Sequence, residues 1–426
     1  MSARRSRIAV AFRADSPSAM ALTQSAAGRH DLVWVIDSAT AELGPLLRLL
    51  QRLGPVVDVA GLDGPAAAAA LGRERPTGIT TFSDELIVPT ARLAARLGLP
   101  YPEPAVAERL VDKAAQRSAL AAAGISVPER WLVPAAASGG GVAAIARKVR
   151  YPAVLKPCVG QGSRNVLAVP DEDGLRSALT VLGGELRDYP VLVEEYLPDA
   201  AVVDPDFASY LSVESVVFER RVVHLATNGR FPTVAPFRET GFFIPAELPA
   251  EVENDVLALV EASVAALGVE RGVLHTEVKL TPAGPRLIEV NGRPGGGVAE
   301  MLGSVGEVDL FRIALDVAAG TFEPPALPLP LDRVAYLFYV HAPDAPATVT
   351  SVEGLEELGQ APGVEAVFLN RPPGTVVDWR DGNHGYVYSV RGVVEDHDAL
   401  RAFARTLPQR VRVEVDPDAV LASAGN

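Results

Sequence analysis

The sequence predicts a mixed α/β protein with an N-terminal parallel sheet, a strand-rich middle part and a small α+β unit at its end. Within the first hundred residues, short apolar strand patterns alternate with amphipathic helical patterns. From about residue 150 onward strand patterns dominate, and a proline-rich stretch, 321–332, precedes a last group of short strands. Alternating strands and helices favour a parallel sheet covered on both faces, whereas runs of strands favour α+β units.

Composition and charge exclude several classes of protein. At about 150 residues per domain, 426 residues suffice for two to four domains, and 48% apolar with 22% charged residues is a globular balance. The net charge is −14 without a basic run, which argues against nucleic acid as a partner. A single cysteine excludes a disulfide framework and a cysteine zinc site. No apolar stretch reaches the roughly 18 residues of a membrane span, and the first apolar run is too short for a signal peptide, so we expect a cytoplasmic protein.

The N-terminal part carries strand and helix patterns in alternation. Strands are predicted at 7–12, 31–37, 55–60 and 78–82, and helices at 41–53 and 83–98. The segment after the first strand, RADSPSAM, contains no glycine-rich turn, so this sheet lacks the fingerprint of a dinucleotide site. We therefore expect the sheet to serve as a scaffold and as a wall on the substrate side.

Two further helices frame the strand-rich middle part. A stretch with three prolines, 97–106, marks a joint, and one continuous helix is predicted over 105–124. A second helix, over 250–268, leads into two strand patterns that flank the loop TPAGP at 281–285.

This loop predicts a hairpin because it contains glycine and two prolines between two strand patterns. Pairing Leu280 with Arg286 sets a register in which Glu277 lies opposite Glu289. Two carboxylates directly across a strand pair repel each other unless a cation lies between them.

Glu277, Glu289 and Asn291 form a candidate metal site. Asn291 follows Glu289 by two residues and therefore shares its face of the strand. An all-oxygen set suits Mg²⁺, which proteins hold with one or two carboxylates plus substrate phosphates. The alternative, two glutamates that face solvent, is disfavoured by the apolar neighbours on both strands. Arg293 at the strand exit can hold a phosphate or carboxylate in a bidentate manner, or form an ordinary surface ion pair.

A glycine-rich turn follows Lys156. The segment VGQGS, residues 159–163, lies between two strand patterns, and such a turn exposes backbone N–H groups to an anion. It is not a Walker A loop, because no Gly-Lys-Ser/Thr sequence opens a helix there. An ordinary hairpin loop is the alternative, and Cys158 beside it is interpreted as a small packing residue rather than a reactive thiol.

The strand pattern VLVEEYL ends at a further candidate site. Alternation places Glu194 and Glu195 on opposite faces of the strand. A strand that leaves its sheet here can offer backbone groups to a planar base and a carboxylate to a ribose. Lys113, in the helix pattern VDKAAQRSAL, is by itself an ordinary exposed charge.

In this order and spacing the motifs resemble those of the ATP-grasp superfamily. The resemblance covers roughly residues 78–300 and rests on a DKxxxR helix (Asp112, Lys113, Arg117), Gly-Ile-x-Val-Pro at 124–128, LKP with the glycine-rich turn, EEYL, and the E…E-x-N-x-R hairpin. The flanks are similar to the α/β domain that precedes an ATP-grasp domain and to a C-terminal domain of the carboxylate–amine ligase branch. The resemblance therefore implies domains at 1–104, 105–325 with a lid subdomain at about 126–197, and 326–426.

The resemblance also implies roles for individual residues, with ATP and Mg²⁺ as cofactors and Mn²⁺ as a substitute for Mg²⁺. The residues implied to contact ATP through its phosphates, through the lid loop and through the adenine pocket are Lys113, Lys156, Gln161, Gly162, Ser163, Glu194, Glu195 and Leu197. His275, two residues before Glu277, is a further candidate contact of the phosphates. The residues implied to hold two magnesium ions are Glu277, Glu289 and Asn291. The implied catalytic residues are Lys156 and Arg293, of which Arg293 steadies the reacting carboxylate or acyl phosphate. The candidate substrate contacts are Arg293, Gly296 and, from the segment 231–249, Arg238 and Glu239; an ordinary surface loop is the alternative for that segment.

The activity implied by the resemblance is ATP-dependent carboxylate–amine ligation through an acyl phosphate, with ADP and phosphate released. No side-chain nucleophile is needed, which agrees with the lack of a GxSxG motif and of a clustered Cys–His pair. We expect small carboxylate and amine substrates, such as amino acids or peptide-like molecules, no membrane partner and, by analogy with relatives, a homodimer. One alternative is a bicarbonate-activating carboxylase of purine or biotin type. Another is a non-catalytic nucleotide-binding relative, which is disfavoured because Lys156, Glu277 and Glu289 are all present.

One motif departs from the pattern of the superfamily. Many relatives follow EEYL with Gly-x-Glu, whose carboxylate binds the ribose, but here a longer segment follows and Tyr210 stands where that acid would fall. The ribose contact is therefore left open between Asp199, Asp204 and Glu195.

Overall fold

The structure is a computed structural model that describes residues 5–39, 43–135, 139–182, 189–200, 204–341 and 345–417. Its strands are β1 Ser6–Ala11, β2 His30–Ile36, β3 Val56–Asp58, β4 Gly78–Thr81, β5 Arg130–Val133, β6 Ala153–Pro157, β7 Leu167–Val169, β8 Val191–Glu195, β9 Tyr210–Phe218, β10 Arg221–Arg230, β11 Gly241–Ile244, β12 Arg271–Thr281, β13 Gly284–Asn291, β14 Val334–His341, β15 Ala347–Glu353, β16 Val364–Leu369, β17 Val376–Val377, β18 Tyr386–Val394 and β19 Arg412–Asp416. Its α-helices are α1 Ala19–Ala26, α2 Gly44–Leu53, α3 Gly64–Gly72, α4 Ile87–Leu97, α5 Pro104–Val111, α6 Lys113–Ala122, α7 Gly139–Ala146, α8 Glu172–Leu182, α9 Ala250–Leu267, α10 Val298–Gly306, α11 Leu310–Ala319, α12 Leu355–Gly359 and α13 His397–Arg410. Within these described residues, no helix combines the length and the apolar character needed to cross a bilayer.

The N-terminal part is a four-stranded parallel sheet in the order β3-β2-β1-β4. The parallel sheet confirms the predicted fold class, and every strand begins within one residue of its predicted start. The predicted helix 41–53 corresponds to α2, although residues 41 and 42 lie outside the described part of the chain. The predicted helix 83–98 is a 3₁₀ turn, Asp84–Leu86, followed by α4, which ends at Gly98 in the left-handed conformation.

A small antiparallel sheet in the order β5-β8-β6-β7 follows, which we call the small sheet. Its core is a cluster of buried aliphatic side chains from the strands and from α7 and α8, among them Leu155, Leu175 and Val193. Because β6 and β7 are paired, the glycine-rich segment 159–163 lies in the connection between two adjacent strands. We call this segment the glycine loop.

The other strands of the middle part belong to an eight-stranded sheet in the order β13-β12-β9-β10-β11-β14-β18-β16. Since β14, β16 and β18 follow the proline-rich stretch 321–332, this sheet continues from the middle part into the C-terminal part. There α13 and a three-stranded sheet, β17-β15-β19, pack on it around a second buried core, which agrees with the predicted α+β unit.

The prediction of one continuous helix over 105–124 is wrong. The chain forms α5 and α6, separated at Asp112, whose backbone is extended (φ −98°, ψ 109°). The Asp112 carboxylate caps α6, because it accepts from two backbone N–H groups of the first turn at 2.8 and 3.0 Å. The backbone N–H of Lys113 donates outside the two helices, to the carbonyl of Cys158 at 2.8 Å. The break therefore places Lys113 at the start of α6, next to the glycine loop.

The strands β12 and β13 form the predicted hairpin, but with a different register near the turn. The predicted pair of Leu280 and Arg286 is wrong, because Arg286 pairs with Lys279. A bulge on β13 then adds one residue and restores the predicted register, so that Glu277 does lie opposite Glu289.

The edge strand β13 is held by a side chain rather than by a further strand. Gln116 on α6 donates from Nε2 to the carbonyl of Val290 (2.9 Å) and accepts at Oε1 from the N–H of Val290 (2.9 Å). Its Nε2 also donates to the carbonyl of Arg109 on α5 at 3.0 Å. Gln116 is buried, so its amide fixes β13 against both helices as a neighbouring strand would.

Replacing Gln116 by methionine keeps the volume but removes both partners of Val290. We expect Gln116→Met to lower the free energy of unfolding by about 1–3 kcal/mol for each buried backbone group left without a partner. Urea denaturation measures the change. The matched control Gln51→Met, at an exposed position of α2, should change the free energy by less than about 0.5 kcal/mol. If both substitutions lowered the free energy of unfolding equally, the hydrogen bonds of Gln116 to Val290 would not stabilise β13.

Candidate active site

A cavity of about 550 Å³ opens between the small sheet and the hairpin β12–β13. The sequence-predicted site residues that line it are Lys113, Lys156, Gln161, Gly162, Ser163, Glu194, Glu195, Leu197, Glu239, Glu277 and Glu289. The predicted residues that do not line it are Arg238, His275, Asn291, Arg293 and Gly296. The fold thus brings the two hairpin carboxylates, two lysines and the glycine loop around one space.

The carboxylates of the hairpin are held by a lysine from α6. Glu277 and Glu289 are direct cross-strand partners, and Nζ of Lys113 lies 2.9 Å from Oε2 of Glu289. Burial disfavours the charged form of Glu289, but Lys113 outweighs burial and lowers the pKa of this carboxyl. Nζ of Lys113 also donates to the carbonyl of Gly160 at 2.8 Å. Lys113 therefore connects the carboxylate pair to the glycine loop.

A second group of charges orients Lys156. Nε and Nη2 of Arg117 lie 2.7 and 3.3 Å from the two carboxylate oxygens of Glu194, and Lys156 pairs with the same carboxylate. Burial opposes ionisation, but Lys156 and Arg117 outweigh it and hold the pKa of Glu194 at about 2. The next residue, Glu195, is half-buried and lies 3.5 Å from Arg286, so the two glutamates do face opposite sides of β8. The Glu194 carboxylate is thus engaged within the protein and holds the ammonium group of Lys156 in place.

His275 lies beside Glu277 and away from the cavity wall. Its Nδ1 pairs with Glu214, and its Nε2 lies 3.6 Å from Oε1 of Glu277. Burial opposes protonation, but the carboxylate of Glu214 outweighs burial and raises the pKa of His275 to about 9. The raised pKa favours the protonated ring beside Glu277.

The backbone of the glycine loop is strongly curved. Gly162 (φ 62°), Ser163 (φ 54°) and, just beyond the loop, Asn165 (φ 60°) have left-handed conformations. Turns of this kind direct backbone N–H groups toward a common side and make concavities for anions. Cys158 beside the loop is buried, and burial raises the pKa of its thiol to about 11, which agrees with a packing role.

Arg293 is held by the N-terminal part of the chain. Its Nε and Nη2 lie 2.8 and 2.6 Å from Oδ2 of Asp84, and it borders a separate cavity of about 30 Å³. Asn291 is buried on the face of β13 that it shares with Glu289, while Gly296 is exposed. These three predicted residues therefore do not line the large cavity.

Of the two candidate substrate contacts in the segment 231–249, only one reaches the large cavity. Glu239 lines it and is paired with Nη1 of Arg230 at 2.8 Å. Arg238 is buried and donates from Nε to the carbonyl of Ala235 at 2.7 Å.

Sequence reasoning missed Lys279. It follows Glu277 by two residues on the same face of β12, lines the cavity and pairs with the Asp199 carboxylate. Composition carries a signal for it, because only four of the 39 basic residues of the chain are lysines. Three of these four, Lys113, Lys156 and Lys279, line the cavity. Since almost all other basic residues of the chain are arginines, a lysine marks a place where a compact ammonium group is preferred over a planar guanidinium group.

Comparison with known proteins identifies the family. Family models match the chain as an ATP-grasp domain at residues 149–301 and as an L-amino acid ligase C-terminal domain 2 at residues 340–416. An uncharacterized protein of Sinorhizobium fredii, y4rH, is 30% identical over 386 residues, which cover 88% of this chain and 72% of that protein. The chain belongs to the ATP-grasp superfamily.

Two further comparisons relate this ATP-grasp chain to ligases. Carnosine synthase 1 of Gallus gallus is 32% identical over 272 residues, which cover 60% of this chain but only 28% of that protein. The crystal structure of an L-amino acid ligase from Bacillus licheniformis superposes with a TM-score of 0.75 at 22% identity and covers 96% of this chain and 99% of that chain. This structure shows the shared fold.

The donor set of the ATP-grasp site fits a magnesium ion that is bound together with a nucleotide. Within the described residues, no cluster of three or more His, Cys, Asp or Glu side chains is arranged around a metal position. Glu277 and Glu289 would hold the ion with two carboxylates, and Mg²⁺ usually takes its other ligands from substrate phosphates and water. Three lysines line the same cavity, and each of them pairs with a carboxylate.

The buried ion pairs of Glu194 generate a prediction on stability and pH. Glu194→Gln leaves Arg117 and Lys156 without their counter-charge, so we expect the free energy of unfolding at pH 7 to fall by about 3–5 kcal/mol. The pKa of Glu194 is about 2 in the folded chain against an ordinary value of 4.5, so its stabilising effect is complete above about pH 4.5 and is lost as the pH falls toward 2. The difference between wild type and variant, measured by urea denaturation, should therefore shrink over this interval.

The neighbouring Glu195→Gln is the matched control, since its carboxylate is half-buried and lies 3.5 Å from its partner. We expect this control to change the free energy of unfolding by less than about 1 kcal/mol. A Glu194→Gln effect that does not vary with pH would contradict the assignment of the low pKa.

Proposed function

We propose that the chain is an ATP-dependent ligase that joins a carboxylate to an amine and releases ADP and phosphate. The observation that carries the proposal is the pair of Glu277 and Glu289 next to the glycine loop, with lysines around the same cavity. The match of residues 340–416 to an L-amino acid ligase domain supports amino acids or peptide-like molecules as substrates.

Glu277 and Glu289 are proposed to hold Mg²⁺, with Asn291 on the same face of β13 as a further oxygen donor. The ion, when bound, neutralises phosphate charge and orients the γ-phosphoryl group. Lys113 and Lys156 bring positive charge to the phosphates, and the glycine loop brings backbone N–H groups. Mn²⁺ is expected to substitute, because it accepts the same hard oxygen ligands.

The proposed reaction has two displacements. An oxygen of the substrate carboxylate attacks the γ-phosphorus of ATP, the bond to the β-phosphate oxygen breaks, and ADP leaves an acyl phosphate behind. The amine nitrogen then attacks the acyl carbon, phosphate leaves with the bonding electron pair, and the nitrogen loses a proton as the amide forms.

The chain's own residues orient these steps and supply no nucleophile. Lys156, held by the Glu194 carboxylate, offsets charge on the transferred phosphoryl group. Arg293, which pairs with Asp84 and does not line the large cavity, is proposed to steady the substrate carboxylate and then the acyl phosphate. The glycine loop covers the phosphates and keeps water from the acyl phosphate.

A bicarbonate-activating carboxylase is the alternative on the same fold. The L-amino acid ligase domain at 340–416 and the identity of 32% to a carnosine synthase favour amide formation over bicarbonate activation.

The ribose contact is proposed to be Asp199. Its side chain is 60% exposed at the cavity, where it pairs with Lys279 and accepts from Ser209. Of the two other candidates, Asp204 is held by Nε and Nη2 of Arg401 at 3.0 and 2.6 Å, and the Glu195 side chain is only 29% exposed. Asp199 is therefore the most accessible ionised acceptor of the three.

Several other expectations stay predictions. They comprise the domain bounds 1–104, 105–325 and 326–426, the lid subdomain at about 126–197, the homodimer, the cytoplasmic location and the identity of the two substrates.

The ligase activity is tested by incubating the protein with Mg-ATP and pairs of amino acids. We expect phosphate release that requires both a carboxylate and an amine, and an amide product that mass spectrometry detects. Glu289→Gln should lower the rate at least about 100-fold, because it removes a charge that acts on the phosphoryl group. Glu300→Gln, at an exposed position of α10, is the matched control and should keep the wild-type rate.

Phosphate release with bicarbonate alone, without any amine, would instead support the carboxylase. No turnover with any carboxylate–amine pair would count against the proposed ligase.

The ribose assignment is tested by nucleotide discrimination. Asp199→Asn should raise the KM for ATP about 10- to 100-fold, because a charge-assisted hydrogen bond contributes about 1.5–3 kcal/mol. The variant should also lose most of the wild-type preference for ATP over 2′-deoxy-ATP. Asp204→Asn is the control, and if it rather than Asp199→Asn abolished the preference, the assignment would be wrong.

A further inference from the structure

A turn from the C-terminal part of the chain packs directly on the glycine loop. Residues 379–385 form two short 3₁₀ turns that meet at Gly382, and we call them the C-terminal turn. The backbone N–H of Asn383 in this turn donates to the carbonyl of Gly162 at 2.7 Å. The loop that covers the proposed phosphate site is thus hydrogen-bonded to a segment far away in the sequence.

Two glycines make this contact, and a Cβ added at either position would meet the opposing segment. A Cβ at Gly382 would lie 2.3 Å from the carbonyl oxygen of Gly162 and 2.7 Å from the backbone nitrogen of Arg164. Gly382 also has φ 61° and ψ −137°, a conformation that other residues rarely adopt. A Cβ at Gly162 would lie 2.9 Å from Nε2 of His384. At Gly382 the two backbones therefore fit against each other only in the absence of a Cβ atom.

The side chain of Asn383 connects the same turn to the segment that carries Glu239. Its Oδ1 accepts from the backbone N–H of Glu239 at 2.8 Å, and the carbonyl of Glu239 accepts from Nε2 of His341 at 2.7 Å. Both backbone groups of Glu239 are thus bonded to the C-terminal part. Glu239, Asn383 and Gly162 all line the large cavity, so the connection runs along its wall.

The other side of the glycine loop faces the N-terminal part. Nε2 of Gln161 lies 3.5 Å from Oδ2 of Asp15, which also accepts from the hydroxyl of Ser83 at 2.9 Å. The position of the loop is therefore set by elements outside the small sheet that carries it.

We propose that Asn383 is a positioning residue through which the C-terminal turn couples the segment 231–249, which carries Glu239, to closure of the glycine loop. The proposal rests on the proposed ligase function. The backbone N–H of Asn383 holds Gly162 at the cavity. Its side chain accepts from the N–H of Glu239 and so connects Gly162 to the segment 231–249, which carries a candidate substrate contact. A loop held closed keeps water from the acyl phosphate until the amine attacks.

When either link is broken, hydrolysis competes with amide formation. The oxygen of a water molecule attacks the acyl carbon, phosphate leaves with the bonding electrons, and the substrate carboxylate is regenerated with loss of a proton. ATP is then converted to ADP and phosphate without an amide product.

Two variants separate the two links. Gly382→Ala places a Cβ against the carbonyl of Gly162 and so breaks the contact with the loop, whereas Asn383→Ala keeps the backbone donor and removes only the acceptor for the N–H of Glu239. The matched controls are Gly374→Ala and Asn370→Ala, at exposed positions of the same part of the chain. Gly374 also has a positive φ (89°), but no atom lies within 4 Å of an added Cβ.

The first measurement is hydrogen exchange in the ligand-free protein, which needs no substrate. We expect the amides of residues 158–166 to exchange about tenfold faster in Gly382→Ala, and those of 237–241 to exchange faster in Asn383→Ala, with no change in either control. The second measurement is the ratio of ADP to amide formed. We expect one ADP per amide in wild type and controls and at least about twice that in both variants, with the KM for the amine raised more than the KM for ATP.

Unchanged exchange in Gly382→Ala would overturn the contact between turn and loop. Faster exchange with one ADP per amide in both variants would overturn the coupling and leave the turn a merely structural support. If wild type formed no amide with any substrate pair, the proposed function would fail and the coupling with it, while the exchange comparison would still decide the contact. Thermal unfolding midpoints of the variants, compared with those of the controls, establish that each protein is folded.

Discussion

The site is organised around two carboxylates that face each other across an antiparallel strand pair. Glu277 and Glu289 are direct cross-strand partners at a partly buried position, where two negative charges repel each other more strongly than in water. Such an arrangement is stable only if cations compensate it. Lys113 pairs with Glu289 and His275 lies next to Glu277, and we propose that a divalent cation with its nucleotide compensates the pair from the cavity side.

The surrounding fold serves to hold these charges in place. The break between α5 and α6 puts Lys113 at a helix start, and the Gln116 amide fixes β13 against α6. The whole chain carries a net charge of −14, which repels a nucleotide at long range. Three of the four lysines of the chain line one cavity, where each pairs with a carboxylate, and their ammonium groups are the positive charges that a bound phosphate would meet there.

Local patterns predicted those parts of the molecule that depend on neighbours in the sequence. Alternation of strands and helices predicted the N-terminal sheet, and the register of the hairpin placed Glu277 opposite Glu289. The pair of Leu280 with Arg286 was wrong because a bulge changes the register by one residue without a clear signal in the sequence. The helix break at Asp112 was missed because the flanking residues favour helix, whereas the contact with Cys158 that stabilises the break comes from another element.

Contacts between distant parts of the chain could not be predicted in this way. The hydrogen bond from Asn383 to Gly162 and the ion pair of Arg293 with Asp84 depend on how separate units pack, and periodicity carries no information on that. Lys279 was accessible to sequence reasoning through the rarity of lysine, but its pairing with Asp199 was not.

We propose that the hairpin carboxylates bind a nucleotide through a divalent cation. The most direct measurement is calorimetric titration of ADP into wild type and into the double variant Glu277→Gln/Glu289→Gln, each with and without Mg²⁺. We expect Mg²⁺ to strengthen ADP binding to wild type and to have no such effect on the double variant. A double variant whose ADP affinity rises with Mg²⁺ as much as that of wild type would contradict it.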